Sequence, residues 1–284
     1  MFSYNNCGIW NKYERRDDDI IIASTPKSGT TWLQQIVCQL LFNNHESECE
    51  QQDLDKVSPW IDTTMFHDES FILDLINKQK HRRFFKTHSL ATDLPEDVIE
   101  NSKIIYITRD FRDVVWSFYN HVANYDEKMK KELYKEFEDC SSPKYMWDYI
   151  IKHKGQLLIK KYRNIWSYFV VNKSWFKLVG KKNILFLHYN DLKKYTQREI
   201  QRIAEFLGCN SYTNNILEKC SYEYMKKNAQ KIVPLHFRNS LKSCKNFIKN
   251  ESSWIDVLTI KDMTNYINIL LFFFNEEQIR FITS

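Results

Sequence analysis

Lysine, serine, glycine and three threonines fall together in TPKSGTTW, residues 25–32, with an apolar run at 20–23 before them and the helical pattern Leu33, Ile36, Val37, Leu40, Leu41 after them. A strand, a tight turn and a helix start aim successive backbone N–H groups at one spot, and Lys27 adds a full positive charge there, which makes an anion cradle. A Walker A loop carries its lysine after a second glycine and follows it with a Ser/Thr that holds magnesium. Here Lys27 precedes the loop's only glycine, Gly29, so an ATP or GTP site, and with it a P-loop kinase, is the poorer reading. Taken alone, Ser28, Thr30 and Thr31 serve equally well as helix-capping residues. The rest of the chain has to decide.

Three more groups of polar residues follow short β-rich runs. Lys86-Thr87-His88 comes after the run at 83–85, Arg109 after 104–108, and His188-Tyr189 after 184–187. Helical patterns lie between and beyond these runs, at 32–42, 69–79, 114–124, 145–171 and 198–207, and a further one at 259–277 ends in an apolar stretch that suits core packing or a partner surface. Strands alternating with helices predict an α/β fold, a P-loop-like three-layer sandwich whose central parallel sheet is flanked by helices. With no Pro/Gly/Ser-rich linker, residues 1–284 are expected to form a single domain. In such sheets ligands bind beyond the carboxyl ends of the strands, which is where the polar groups fall.

Composition narrows the classes. The formal charge of +5 suits anionic small molecules but is too diffuse for nucleic acid, which calls for a clustered basic face. The seven cysteines are odd in number and scattered, and no CxxC or other metal-ligand spacing appears, so neither a metal nor a disulfide framework is expected and a reducing compartment is. The N-terminus is polar, unlike a signal peptide or membrane anchor, and the apolar run 269–274 is far short of the roughly 20 residues that span a bilayer. A cytoplasmic protein with no membrane partner is expected.

The order TPKSGTTW, then FFKTHSLATDLP (84–95), KIIYITRDFRDVVWSFYNH (103–121) and ILFLHYNDLKK (184–194) resembles the cytosolic-type sulfotransferases, which use 3′-phosphoadenosine 5′-phosphosulfate. The resemblance runs from about residue 18 to about residue 254. It implies that Lys27, Ser28, Gly29, Thr30 and Thr31 cradle the 5′-phosphosulfate, that His88 is the general base for an acceptor hydroxyl or amine, and that Lys86 and Lys27 stabilise the transferring group and leaving phosphate. It also implies that Arg109 and Ser117 hold the 3′-phosphate, and that Trp32, Tyr189 and Tyr222 contact adenine. Physically, a guanidinium offers a fork of donors to phosphate oxygens, and a neutral imidazole can take a proton near pH 7. Core packing competes for Trp32 and Tyr222. Arg112 and Asp113 are the material of a helix-start ion pair.

The pattern departs from the family at FIKNESSW, 247–254, where the family has a segment like RKGxxGDW. Counted from Trp254, Phe247, Ile248 and Lys249 fall at the Arg, Lys and Gly positions; aligned on the preceding phenylalanine, Lys249 falls at the arginine and joins the cofactor ligands. The family's dimer motif is not intact, having Ile255 and Thr264 at its ends, so the oligomeric state stays open. The expected activity is transfer of a sulfuryl group to a small apolar or amphiphilic acceptor, with a catalytically weakened nucleotide-binding homologue as the alternative. Trp60, Phe66, Phe84 and Tyr125 are candidates for the acceptor pocket, each equally suited to core packing.

Overall fold

The computed structural model describes residues 7–42, 53–63, 67–133, 142–159, 164–209, 214–249 and 254–284. From the N-terminus the elements are β1 Ile20–Ser24, α1 Thr30–Leu41, α2 Leu54–Val57, α3 Glu69–Asn77, β2 Phe84–Thr87, α4 Glu96–Asn101, β3 Lys103–Thr108 and α5 Phe111–Ala123. There follow α6 Glu127–Leu133, α7 Pro143–Lys152, the hairpin β4 Gln156–Ile159 with β5 Asn164–Ser167, α8 Tyr168–Phe176, β6 Ile184–His188, α9 Tyr189–Lys194 and α10 Thr196–Leu207. The chain closes with α11 Asn214–Lys219, α12 Tyr222–Lys227, α13 Ala229–Ile232, α14 Leu235–Arg238, α15 Ile260–Phe273 and α16 Glu276–Ile282.

The four strands expected from the sequence form one parallel sheet in the order β2-β1-β3-β6. All five residues of β1 are buried, as a strand covered on both faces must be. Its side chains alternate between two cores. Ile20 and Ile22 pack with Leu33, Ile36 and Val37 of α1, and Ile21 and Ala23 pack with Ile72 and Ile76 of α3 and Trp175 of α8. That is the three-layer α/β sandwich. Because β2 and β3 lie on opposite sides of β1, the chain reverses direction across the sheet at β1/β3. The crevice at such a switch point is where ligands bind.

Three expectations need correction. Strand β2 runs one to two residues later than 83–85, so Lys86 and Thr87 sit in it, paired with Ile22 and Ala23; on the outer side Lys86 N–H donates to Pro59 O at 2.9 Å and Ile61 N–H donates to Lys86 O at 3.0 Å. The single helix expected at 145–171 is two helices separated by the β4/β5 hairpin. Lys154 and Gly155 both take positive φ, 52° and 72°, which ends α7, and a Cβ on Gly155 would lie 2.5 Å from the Phe169 ring. The tail helix breaks after Phe273, since Asn275 caps a new helix by accepting from Gln278 N–H at 2.9 Å. Its apolar end is mixed: Leu270 and Phe274 are buried, whereas Leu271 and Phe272 are 60% and 73% exposed. Cys209, Cys220 and Cys244 are free and Cys38 is disulfide-bonded, a feature the scattered-cysteine reading did not anticipate.

Candidate active site

The loop between β1 and α1 is held in an uncommon shape. Lys27 has φ 69°, in the left-handed region that a side chain makes costly, and Gly29 has φ 99° at the N-cap of α1. A Cβ on Gly29 would stand 2.6 Å from Tyr189 Cδ2, so glycine is required twice, for its φ and for the approach of the ring. Hydroxyl pairs lock the loop from within: Thr25 Oγ1 lies 2.6 Å from Ser28 Oγ, and Ser24 Oγ lies 2.6 Å from Thr30 Oγ1. The result is a rigid turn at the N-terminus of α1, with its backbone donors at the sheet's carboxyl edge.

Above this edge lies a cavity of about 500 Å³. Its lining includes Lys27, Gly29, Thr30, Thr31, Trp32, Lys86, His88, Arg109, Ser117, Tyr189, Tyr222 and Lys249, so all the residues expected to be catalytic or to bind the cofactor meet there but one. The exception is Ser28, whose hydroxyl is fully buried against Thr25. Sheet order sets the layout: Lys86 lies at the end of β2 and His88 just beyond it, the loop beyond β1, Arg109 beyond β3 and Tyr189 beyond β6.

Lysine-27, Lys86 and His88 form the electrostatic centre. Lys86 and His88 are 5% and 6% exposed. Burial, together with the charges of Arg109 and Lys86, pulls Lys27 down to about 7. Burial lowers Lys86 to about 8, with Asp55 and Asp62 opposing. Burial and then Lys86 hold His88 at about 3, the Ser24 carbonyl pulling the other way and Lys27 adding to the fall. The imidazole is therefore neutral at physiological pH. Its Nδ1 is 2.8 Å from Ser24 O, and since a carbonyl only accepts, Nδ1 carries the proton and Nε2 the basic lone pair. The Trp60 ring stands edge-on to His88 at 5.0 Å and receives the Lys86 ammonium at 5.2 Å.

Beyond β3, Arg109 lies with its guanidinium 4.1 Å from the Tyr189 ring and its Nε 3.6 Å from Asp113 Oδ2. A side pocket of about 30 Å³ gathers Lys27, Arg109, Ser117, Asn120, Phe247 and Lys249 among its walls. Lys249 Nζ donates to Asn120 Oδ1 at 3.1 Å, three residues beyond Ser117 on α5. Three cationic side chains, a hydroxyl and a carboxamide around so small a space are the material of a second anion receptor. Trp32 both lines the cavity and packs on the core, donating its indole N–H to Cys220 O at 2.8 Å and meeting Tyr189 edge to face. Tyr222 lines the cavity at the start of α12, its hydroxyl 2.8 Å from Lys226 Nζ.

Several expectations resolve differently. Asp113 pairs with Arg109, and Arg112 pairs instead with Asp110, the N-cap of α5. Phe84 is in the core under α1, and Tyr125 is fully buried with its hydroxyl on His121 Nε2 at 2.8 Å; neither lines the cavity. Trp60 does line it, and Phe66 lies outside the described residues. His188 is buried behind the site, bonded to Ile282 O at 3.1 Å. The sequence reading missed Phe237 as a lining residue, and His121, whose i+4 spacing from Ser117 on one helix was a usable signal. It also missed a contact made by Phe247, whose ring lies 4.6 Å from the Lys27 ammonium. No group of three or more His, Cys, Asp or Glu among the described residues is placed to hold a metal, and none of the helices is long and apolar enough to cross a membrane.

Comparison with known proteins converges on one family. The model of the sulfotransferase domain matches residues 17–267. Sulfotransferase 1B1 of Canis lupus familiaris is 31% identical over 230 residues, 79% of this chain and 71% of that protein. Sulfotransferase 1E1 of Bos taurus is 28% identical over 225 residues, 76% of this chain and 69% of that protein. Among solved structures, mouse sulfotransferase SULT7A1 complexed with PAP shares the fold with a TM-score of 0.71 at 21% identity, covering 99% of this chain and 94% of its own. Retinol dehydratase in complex with androsterone and PAP gives a TM-score of 0.71 at 21% identity, over 95% and 84% of the two chains.

Proposed function

The chain belongs to the sulfotransferase family, and from that premise we propose that it moves a sulfuryl group from 3′-phosphoadenosine 5′-phosphosulfate to a hydroxyl or amine of a small amphiphilic acceptor in the cavity. One observation carries the reading: a neutral His88, its Nδ1–H fixed on Ser24 O, opens on the same cavity as Lys27 and Lys86. When bound, the cofactor supplies an activated sulfuryl group whose S–O bond to the 5′-phosphate breaks as the acceptor oxygen attacks in line.

The residues divide the remaining tasks. His88 Nε2 takes the proton of the acceptor hydroxyl as the new S–O bond forms. Lys27 meets charge building on the leaving phosphate oxygen, Lys86 meets it on the transferring group, and the N–H groups of Gly29, Thr30 and Thr31 hold oxygens without reorganising. Arg109, Ser117 and Lys249 hold the 3′-phosphate in the side pocket, which favours aligning Lys249 with the family's arginine. Trp32, Tyr189 and Tyr222 enclose the adenine. Trp60, Phe118 and Phe237 give the cavity an aromatic wall, a lining suited to an alcohol or phenol with an apolar body. A cytoplasmic location goes with this reading.

A neutral His88, held at about 3 by burial and by the charges of Lys86 and Lys27, is a weak base. Anionic oxygens beside Lys27 and Lys86 offset two of the charges that depress it, so loading the site raises its basicity toward the range where general-base catalysis is effective. The test is calorimetry with 3′-phosphoadenosine 5′-phosphate against adenosine 5′-phosphate, followed by transfer of radiolabelled sulfate to a panel of phenols, sterols and amines. Preference for the 3′-phosphorylated nucleotide with labelled product supports the proposal. Equal binding of the two nucleotides overturns the cofactor assignment, and tight binding with no product on any acceptor marks the catalytically weakened alternative.

A further inference from the structure

Asp62 takes no part in the cavity lining and is 2% exposed, yet it grips the turn that carries the catalytic pair. Its Oδ2 accepts from the Thr87 hydroxyl at 2.7 Å, from the Ser89 hydroxyl at 2.5 Å and from the His88 backbone N–H at 3.2 Å. Ser89 N–H closes the knot on Thr87 Oγ1 at 3.0 Å. Three consecutive residues are thus tied to one oxygen. The stretch leading to Asp62 grips the residue before them, through Lys86 N–H to Pro59 O and Ile61 N–H to Lys86 O. Three donors converging on one oxygen suit a carboxylate, whose hydrogen bonds are about twice as strong as neutral ones.

We propose that Asp62 is a positioning residue for sulfuryl transfer: its carboxylate fixes the Lys86–Ser89 turn so that His88 and Lys86 face one cavity. Its negative charge also opposes the effect of burial on Lys86. The proposal rests on the roles given above to His88 and Lys86. The charged and titratable groups acting on or around Lys86 are Asp55 and Asp62 from the segment before α3, Lys27 of the loop, His88 on its own turn, His121 of α5 and His236 of α14. Of these only Asp55 and Asp62 pull Lys86 upward against its burial, so losing one of them leaves burial less opposed. Burial raises Asp62 as well, and the donors from Ser89, Thr87 and His88 oppose that rise.

The test uses the full chain with Asp62→Asn, which keeps the shape and removes the charge, and Asp62→Glu, which restores the charge on a longer arm. Binding of 3′-phosphoadenosine 5′-phosphate and an unchanged melting temperature certify folding. The Lys86 titration is followed by NMR of 13C-labelled lysine, assigned with Lys86→Arg, and turnover is measured with 1-naphthol as the acceptor probe. In Asp62→Asn the Lys86 midpoint moves to lower pH, kcat falls about 10²-fold, the cost of a small misplacement at a reacting centre, and the alkaline limb of the rate profile moves with the midpoint. Asp62→Glu returns the midpoint and recovers part of kcat.

An unmoved Lys86 midpoint in folded Asp62→Asn overturns the charge role, and that readout needs no acceptor. An unchanged kcat overturns the positioning role. His88→Ala measured alongside keeps the two proposals apart: retained turnover there overturns the assignment of His88, whereas turnover lost in His88→Ala but kept in Asp62→Asn overturns only the inference about Asp62.

Discussion

The carbonyl oxygen of Ser24 accepts the Nδ1 proton of His88 across 2.8 Å, tying the last residue of β1 to the turn after β2. This bond selects the tautomer and orients the ring, because it leaves Nε2 as the nitrogen able to take a proton. Ser24 also reaches the start of α1, its hydroxyl lying 2.6 Å from Thr30 Oγ1. His88 and the Lys27 loop are therefore built on adjacent strands with a shared anchor.

Replacement of His88 by alanine is expected to lower kcat by about 10²–10⁴, the usual contribution of a general base, while leaving the affinity for 3′-phosphoadenosine 5′-phosphate within a fewfold. Steady-state turnover and calorimetry on the same preparation check it. A variant that turns over at a near-normal rate removes His88 from the chemistry.

Affinity for the nucleotide should depend on pH in a direction set by the buried lysines. Lys27, lowered to about 7, and Lys86, lowered to about 8, are both raised when anionic oxygens bind beside them, so binding takes up protons. The sign follows: affinity is full below about 7, and weakens as pH rises through about 7 and then about 8, by up to about tenfold per pH unit for each lysine still protonated in the complex. Calorimetry at pH 7.5 in buffers of different ionisation enthalpy should report net proton uptake. Proton release, or none, overturns it.

Gly29 offers a test of the loop's geometry. Alanine there must hold φ 99° and place a methyl group 2.6 Å from the Tyr189 ring. Strain of this kind costs on the order of 1–3 kcal/mol, and the ring must also move away from Arg109, which it stacks on at 4.1 Å. The expected outcome is a lower melting temperature and a nucleotide affinity reduced by tenfold or more. Normal affinity in the Gly29→Ala variant shows that the loop can rebuild around the methyl group.

Arg109 and Lys249 should decide which nucleotide is preferred. Both stand in the side pocket with Ser117, away from Lys86 and His88. Arg109→Ala is expected to weaken binding of the 3′-phosphorylated nucleotide while changing adenosine 5′-phosphate binding little, so that the preference between them collapses; Lys249→Ala should do the same to a smaller degree, since Lys249 is exposed. Equal losses for both nucleotides place these residues on the shared part of the ligand.

How far the sequence carried depended on distance along the chain. Motifs joined to strand ends were legible, because a buried parallel strand writes itself as a short apolar run and its next residues must face the ligand edge; TPKSGTTW, KTH and Arg109 all follow that rule. The helix expected at 145–171 failed because apolar spacing alone cannot see the backbone reversal at Lys154-Gly155. Phe84 failed as a pocket residue because period two does not say which face of a sheet is covered. Asp62 and Phe247 were out of reach for another reason. Each meets the site through contacts over more than twenty residues of chain, with His88 and Lys27 respectively, and no local pattern encodes such a partner.

The last prediction concerns the frame beneath the site. Arg83, just before β2, and Asp19, just before β1, form an ion pair with side chains 1% and 0% exposed, Nε to Oδ1 at 2.7 Å and Nη2 to Oδ2 at 2.5 Å. Asp19 also accepts from the Tyr13 hydroxyl and from Arg16 N–H, and Arg83 donates to Glu14 O at 2.8 Å, so the pair pins the N-terminal segment across the starts of both strands. Removing one partner leaves a charge buried without its counter-ion, and Asp19→Ala is expected to cost about 3–5 kcal/mol. Replacing both together by apolar residues of similar volume, as in Asp19→Leu with Arg83→Met, should recover a large part of that loss, since the desolvation of two charges is avoided. Urea unfolding of the single and double variants measures both quantities. A loss below about 1 kcal/mol in Asp19→Ala means that water reaches the guanidinium once the carboxylate is gone.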